Sequence, residues 1–166
     1  EGASIGMWLE YFNNIDLYMI DIDPNTKKYE RPKVDITIGS QADENIINSI
    51  TDKCNSFDII LDDGSHINEL TLKSFDLLWK YLKPGGLYII EDTHCTYEPN
   101  ISNWSDNLVR NTLPGMKYNS QEIKLENKRS DIINFLSEKT YELDYNKTDI
   151  YSINIYSKSI ILQKNK

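Results

Sequence analysis

The chain has 166 residues, of which 39% are hydrophobic and 27% charged, as expected for one globular domain with its own core. Its 26 acidic and 18 basic residues give a net charge of −8, and the basic residues do not cluster, so nucleic acid is not an expected partner. No apolar run is long enough to cross a membrane, no signal segment opens the sequence, and Cys54 and Cys95 offer neither a disulfide framework nor a zinc pattern, so we expect a cytoplasmic protein.

Short apolar segments alternate with amphipathic ones from the start of the sequence. In chain order, these patterns predict a helix over 3–14, strands over 16–21 and 34–38, a helix over 42–54, a strand over 57–61, a helix over 67–82 that is ended by the turn sequence KPGG, and a strand over 86–91. The last two strands are almost continuously apolar, which is typical of central parallel strands. This order predicts an α/β fold with an open, mostly parallel sheet and right-handed crossovers.

The C-terminal third has a different pattern. Helices are predicted over 103–113 and 130–139, and the segment 149–164 reads as an antiparallel hairpin that turns around Ser157 and Lys158. No repeat or linker divides the chain, so we predict a single domain over 1–166. A sheet of this kind normally begins with a strand, whereas this sequence opens on EGASIG before a helix. We therefore expect the domain to be N-terminally incomplete, with its first strand absent.

Several polar residues follow the predicted strands, where the ligands of doubly wound sheets bind. The glycines of EGASIG allow the backbone to approach an anion or a carboxylate, although such a loop also serves close packing. Asp21 ends a strand and could bind the two ribose hydroxyls of a nucleotide-like ligand, or cap the next helix together with Asp23. Asp43 is equally suited to capping a helix and to contacting a ligand, and Gln41 is open to both interpretations.

The strongest signal comes from acidic residues at the ends of the strands predicted over 57–61 and 86–91. Asp62 and Asp63 follow one strand, and Glu91 and Asp92 follow the other. If the strands are neighbours, Asp63, Glu91 and Asp92 converge on one crevice, where carboxylate oxygens suit Mg²⁺ and would repel one another without a cation. The alternative is that Asp62 and Asp63 bind turn N–H groups while Glu91 points elsewhere, because adjacent strand residues face opposite ways.

His66 is a candidate general base three residues after Asp63. Its unperturbed pKa of about 6.5 suits proton transfer near neutral pH. It could instead cap the following helix or pack against it. His94 fits better as a loop residue, or as a hydrogen-bonding partner of a ligand residue.

Six segments resemble the class I S-adenosylmethionine-dependent methyltransferases: GASIGMW, DIDP, GSQAD, FDIILDDGSH, LKPGGLYIIEDTHCTY and IYSINIYSKSIILQK. Within that class, DDGSH together with LYIIED is similar to the metal-dependent sugar O-methyltransferases of the macrocin and mycinamicin type. The resemblance implies a Rossmann-like sheet, S-adenosyl-L-methionine and Mg²⁺ as cofactors, and a sugar or glycoside hydroxyl as methyl acceptor. EGASIG matches only the later half of the family's cofactor loop, in agreement with the expected absence of the first strand.

The resemblance also implies a role for each candidate residue. Asp63, Glu91 and Asp92 would hold Mg²⁺, and His66 would be the base. The cofactor-binding residues would be Gly2 and Ser4 at the methionine part, Asp21 at the ribose, Gln41 and Asp43 near the adenine, and Asp62 at the border of the cofactor. The segment 98–120 resembles nothing firmly, so the acceptor pocket is left unassigned.

These roles imply direct methyl transfer from a sulfonium to a sugar hydroxyl, with Mg²⁺ lowering the pKa of that hydroxyl and His66 removing its proton. A nucleotide-dependent oxidoreductase is a rival, but no G-x-G-x-x-G loop is visible. A non-catalytic or truncated methyltransferase-like binding module is a second rival, and catechol-type O-methylation differs only in its acceptor. The expected partner is a small-molecule sugar or glycoside, with neither nucleic acid nor a membrane involved, and a homo-oligomer is left open.

Overall fold

The computed structural model describes residues 3–97, 117–118, 121–122 and 127–166. The helices are α1 Ala3–Tyr11, α2 Glu44–Cys54, α3 Asn68–Leu78 and α4 Arg129–Asp144, with 3₁₀ turns at Pro24–Tyr29, Trp79–Tyr81 and Thr93–Tyr97. The strands are β1 Leu17–Asp21, β2 Val34–Ile38, β3 Phe57–Asp62, β4 Leu82–Ile90, β5 Lys117–Tyr118, β6 Gln121–Glu122, β7 Ile150–Ile155 and β8 Ile160–Lys164. The predicted order of elements as far as residue 91 is confirmed, whereas the helix predicted over 103–113 lies outside the described residues.

The larger sheet has four strands in the order β3-β4-β8-β7. Strands β3 and β4 are parallel, while β8 pairs antiparallel with both β4 and β7. A second sheet consists of the parallel pair β1 and β2. This arrangement confirms the predicted α/β class with parallel strands followed by a C-terminal antiparallel hairpin, whose turn includes Ser157 and Lys158.

The sequence KPGG does not form the predicted turn before a strand. It lies inside β4, because Leu82 already pairs with Phe57, and Leu87 pairs with Ile59 after a shift of register. The chain bulges between these two pairs, and Gly85 adopts φ +79°, which suits a residue without a side chain. That expectation was therefore wrong: the helix ends before KPGG, but the strand has already begun there.

The main core lies between the larger sheet and the helices α3 and α4. The Phe75 ring stacks within 5.1 Å of the Trp79 ring and meets Tyr88 and Phe135 edge to face, with ring centroids 5.0 Å apart. Phe75 and Tyr88 are buried, and they lie on the amphipathic helix and the apolar strand that the sequence predicted. This packing holds α3 against the sheet, and α3 begins where the loop after β3 ends.

Strands β1 and β3 both line a cleft of about 1000 Å³. Its walls are largely apolar along the strands, and polar side chains gather where the two strands end. Among the helices in the described part of the chain, none has the length and apolar character needed to cross a membrane.

Candidate functional site

The end of β3 sends two neighbouring carboxylates in different directions. Asp62 still belongs to the ladder, since it pairs with Ile90 and its carbonyl oxygen accepts a bond of 2.9 Å from the Glu91 N–H. Asp62 is only 7% exposed. The side chain of Asp63, one residue further, is 55% exposed. Asp62 therefore lies in the packed part of the strand, and Asp63, the first residue after β3, lies at the open edge.

Asp63, His66 and Asp92 form a group that we name the crevice cluster. Each offers one ligand atom, and these atoms all lie within 4.8 Å of one another. The His66 Nε2 atom is 3.9 Å from Asp63 Oδ1 and 3.8 Å from Asp92 Oδ2. These separations are too long for hydrogen bonds, and they leave the three groups facing a common point.

Two members of the crevice cluster have an uncommon backbone conformation. His66 adopts φ +56° and Asp92 adopts φ +49°, a left-handed region that residues with side chains visit rarely. β4 ends at Ile90, and two residues later this conformation turns the chain away from the sheet at Asp92. That turn is what brings Asp92 to His66.

Glu91 lies next to the crevice cluster but is not one of its three members. Its carboxyl pKa is raised, first by partial burial and then by the negative charges of Asp63 and Asp92, while His66 opposes the shift. The pKa of Asp63 is raised too, first by burial, with the charge of Asp92 raising it and His66 lowering it. Carboxylates crowded in this way favour a bound cation, which would relieve their repulsion.

The donor set of the crevice cluster fits a divalent cation. Two carboxylates supply oxygen ligands, and the imidazole supplies a nitrogen that many divalent ions accept. Asp63 and Asp92 are about half exposed, so water or a substrate oxygen can reach the same point. The predicted ligand roles of Asp63, Glu91 and Asp92, and the base role of His66, stay predictions on this geometry.

Gln41 connects the buried carboxylate to the loop of the crevice cluster. Its Nε2 donates to both oxygens of Asp62, at 2.9 and 3.0 Å, and its Oε1 accepts from the Ser65 N–H at 2.8 Å. A Cβ at Gly64 would collide with the Gln41 amide, so this close approach requires glycine. Burial raises the pKa of Asp62 to about 6, although the bonds from Gln41 and from the Gly64 N–H oppose that rise.

The predicted cofactor residues are spread along the cleft between β1 and β3. Those that line it are Ser4, Asp21, Gln41 and Asp62. Asp43 instead caps α2, where its side chain accepts from the Asn45 N–H at 2.9 Å, so the capping interpretation is confirmed. Asp21 accepts from the Asp23 N–H at 2.8 Å, and Gly2 lies outside the described residues. Contact of any of these residues with a cofactor stays a prediction.

Sequence reasoning missed Asn127. This residue is 2% exposed, and its Nδ2 donates to the carbonyl oxygens of His66 and Cys95, at 2.7 and 3.0 Å. Its partners lie 61 and 32 residues away in the chain. The local sequence ENKRS carries no pattern that would single out an asparagine, so only the folded structure shows this link.

Known proteins resemble this chain in sequence and in fold. No protein-family model matches the sequence. The chain is 36% identical over 105 residues to demethylmacrocin O-methyltransferase of Streptomyces fradiae, covering 63% of this chain and 26% of that protein. It is 32% identical over 116 residues to 8-demethyl-8-alpha-L-rhamnosyl tetracenomycin-C 2'-O-methyltransferase of Streptomyces olivaceus, covering 70% and 30%. The chain therefore spans less than a third of the length of these curated relatives.

A solved structure shows the same likeness in three dimensions. The MycE methyltransferase of the mycinamycin biosynthetic pathway, in complex with Mg and SAH, superposes with a TM-score of 0.71 at 25% sequence identity. The match covers 99% of this chain and 40% of that one.

These similarities show that the chain has the fold of the class I S-adenosylmethionine-dependent methyltransferases. Within that class, the chain is similar to the sugar O-methyltransferases of the macrocin, mycinamicin and tetracenomycin type, which confirms the resemblance noted in the sequence.

Proposed function

We propose that this protein is an S-adenosylmethionine-dependent, Mg²⁺-assisted O-methyltransferase that acts on a hydroxyl of a sugar or glycoside. The observation that carries the proposal is the crevice cluster, which lies at the ends of β3 and β4 beside a large cleft. The relatives that the chain matches are named as sugar O-methyltransferases. The structure of the MycE methyltransferase is solved with mycinamycin VI as well as Mg and SAH. In the proposed reaction, the methyl group passes from the sulfonium to the hydroxyl oxygen, and S-adenosylhomocysteine is released.

The end of the cleft where β1 and β3 finish is the proposed cofactor site, because the ligands of such sheets bind beyond the carboxyl ends of the strands. Asp21 ends β1 at its rim, in the position where an acid binds the hydroxyls of a ribose in related sheets. Ser4 lies in the first turn of α1 and also faces the cleft. The bonds from Gln41 to the buried Asp62 close this site on the side of the crevice cluster.

Asp63 and Asp92 are the residues that would hold Mg²⁺, with Glu91 as the third predicted ligand. When bound there, Mg²⁺ would supply Lewis-acid chemistry that lowers the pKa of an acceptor hydroxyl. The exposed sides of both aspartates leave room for that hydroxyl. Burial first, and then the charge of Asp92, raises the pKa of Asp63, and burial and then the charges of Asp63 and Asp92 raise the pKa of Glu91. A bound cation would relieve this repulsion.

His66 is the proposed base. Its side chain is 11% exposed, and its Nε2 faces the point that Asp63 and Asp92 share. A neutral imidazole in that position can take the hydroxyl proton and hold it as an imidazolium beside two carboxylates. The same Nε2 atom could instead ligate the metal, so the two roles must be separated by experiment.

The acceptor is proposed as a glycoside on the strength of the relatives' names and of the crevice's open edge. A cytoplasmic location is part of the proposal. Assembly as a homo-oligomer stays open, and the exposed side chains of Tyr151 and Ile155 on the edge strand β7 offer one face for it.

The test measures methyl transfer and ligand binding on the same preparation. Radiolabelled S-adenosylmethionine is incubated with a panel of deoxyhexosyl glycosides, mycinamicin VI among them, with Mg²⁺ or with a chelator. We expect labelled product that depends on Mg²⁺, together with calorimetric binding of S-adenosylhomocysteine. Binding of NAD(H) in place of S-adenosylhomocysteine would instead support the oxidoreductase.

A further inference from the structure

The two chain segments that build the crevice cluster are joined by one buried side chain. We name residues 63–67 the His66 loop and residues 91–95 the Asp92 turn. We propose that Asn127 is a positioning residue that ties the His66 loop to the Asp92 turn and so sets the spacing of their ligand atoms. The inference rests on the proposed metal site, and it concerns a residue that touches neither ligand nor reacting atom.

Both the donor and the acceptor groups of the Asn127 side-chain amide are hydrogen-bonded. Its Nδ2 donates to the His66 carbonyl at 2.7 Å and to the Cys95 carbonyl at 3.0 Å. Its Oδ1 accepts from the Asn68 N–H at 2.8 Å. A primary amide has two N–H donors, and here each serves a different segment. Because the side chain is buried, each bond is protected from competition by water.

The two bonds from Asn127 hold the backbone in the two turns that carry the cluster residues. The first fixes the carbonyl of His66 itself, which has the left-handed φ of +56°. The second fixes Cys95, whose N–H closes the turn by donating to the Asp92 carbonyl at 2.9 Å. Left-handed residues with side chains persist when their surroundings determine them. Asn127 thus stabilises both turns that orient the cluster.

The sheet ladder does not provide this link. In the described part of the chain, β3 and β4 stay paired as far as the bond from the Glu91 N–H to the Asp62 carbonyl. Beyond that bond the two segments leave the sheet, one toward α3 and the other into the 3₁₀ turn Thr93–Tyr97. Asn127 bonds to both segments after they have separated, so it controls the distance between them.

The anchor itself is rigid because it is held by two helices. Asn127 lies two residues before α4, and the N–H that it accepts from belongs to the first residue of α3. Asn68 in turn donates its Nδ2 to the Lys128 carbonyl at 2.9 Å. Asn127 is therefore anchored by the backbone at the start of α3 and by its own place just before α4.

The test substitutes Asn127→Asp, which keeps size and the acceptor oxygen but places an acceptor opposite the carbonyls of His66 and Cys95. The matched control is Asn68→Asp, which has the same 2% exposure. Its side-chain hydrogen bonds go to Lys128 and Asp131, outside the His66 loop and the Asp92 turn. Mn²⁺ affinity is measured by electron paramagnetic resonance without cofactor or acceptor, and thermal unfolding is measured alongside.

We expect Asn127→Asp to weaken Mn²⁺ binding by about 10–100-fold, as changes in groups that orient metal ligands do. Asn68→Asp should lose thermal stability but keep its Mn²⁺ affinity. Equal losses of affinity in the two variants, or none in Asn127→Asp, would overturn the inference while leaving the metal site intact. A wild-type protein that binds no Mn²⁺ would overturn both. If Asn127→Asp does not fold, Asn127→Ser, which is smaller and keeps one donor, takes its place in the same comparison.

Discussion

Asp62 and Asp63 are neighbours in the chain, yet they belong to two regions that differ in almost every physical respect. The first region is a buried network of polar side chains on the packed face of the sheet: Gln41, Asp62, Ser74 and Tyr88. Its tightest bonds measure 2.9 and 3.0 Å. The second region is the crevice cluster, where His66 stands 3.8 and 3.9 Å from two half-exposed carboxylates.

The difference teaches how to separate a structural acid from a binding acid. A buried carboxylate must be hydrogen-bonded, so its partners fix its position in the fold. A half-exposed carboxylate without close donors keeps its lone pairs available. We therefore expect changes in the crevice cluster to affect activity and metal affinity, and changes in the buried network to affect stability.

The largest expected effect is the loss of activity in His66→Asn. Asparagine tolerates the left-handed φ of residue 66, so folding should be kept while the base is lost. Turnover with S-adenosylmethionine and a glycoside should fall by roughly 10²–10⁴-fold, the usual contribution of a positioned base. Mn²⁺ affinity separates the roles, because a base leaves it unchanged and a ligand does not.

The matched control for that prediction is His94→Asn. His94 Nδ1 lies 3.6 Å from Asp92 Oδ1, on the outer side of the cluster, and its side chain is 48% exposed. Its loss should reduce turnover far less. Full turnover in His66→Asn would remove His66 from the mechanism.

A smaller effect is expected when a metal ligand is removed. Asp63→Asn should weaken Mn²⁺ binding by at least the roughly 100-fold that changes around metal ligands can reach. Its stability should not fall, because the substitution also removes one of the charges that crowd Glu91. Electron paramagnetic resonance and thermal unfolding measure the two quantities, with Asp52→Asn on the exposed side of α2 as the surface control. A loss of stability without a loss of Mn²⁺ affinity would show that Asp63 supports the fold and does not bind the metal.

Much of this division could be predicted from the sequence, because it follows from local rules. The apolar run of β3 fixed where the strand ends, and alternation then separates Asp62 from Asp63. The position of Asp43 just before a helix made N-capping one of its two predicted roles.

The rest depended on contacts between distant segments. Gln41 meets Ser65, and Asn127 meets His66, across 24 and 61 residues of chain. No periodicity or spacing encodes such pairs, since each arises from the way several elements pack. The bulge at KPGG was missed for a related reason, because the pairing of Leu82 with Phe57 is a property of the neighbouring strand.

The contribution of the buried network to the free energy of unfolding should depend on pH. Burial raises the pKa of Asp62 to about 6, from an ordinary value of 3.8. Between these pH values the native state keeps a proton that the unfolded state has released, so this group makes stability fall as pH rises from about 4 to about 6. At about 1.4 kcal/mol per pKa unit, the effect is about 3 kcal/mol at most.

Asp62→Asn should remove that contribution. Urea unfolding of both proteins across this pH range gives the difference between them, in which the other titrating groups cancel. The wild-type protein should lose stability relative to Asp62→Asn as pH rises. A difference that stays constant with pH would mean that Asp62 keeps its charge throughout.

The smallest expected effect tests whether the two regions are independent. Tyr88 is fully buried, its hydroxyl donates to Ser74 Oγ at 3.3 Å, and burial followed by the charge of Asp62 raises its pKa well above the usual value. Tyr88→Phe should therefore cost about 1 kcal/mol of unfolding free energy, the net worth of one buried hydrogen bond. Tyr145→Phe, at an exposed hydroxyl, should change it by less than about 0.5 kcal/mol.

Mn²⁺ affinity decides what Tyr88→Phe means for the site. If the buried network only supports the fold, affinity is unchanged, because Asp62 is buried in β3 whereas Asp63 lies beyond its end and is half exposed. If affinity falls, the network must act on the His66 loop, and the route is the bond from the Ser65 N–H to Gln41. Gln41→Ala would then reproduce the loss, whereas Tyr145→Phe would not. That result would unite the two regions and make the buried acid part of the site.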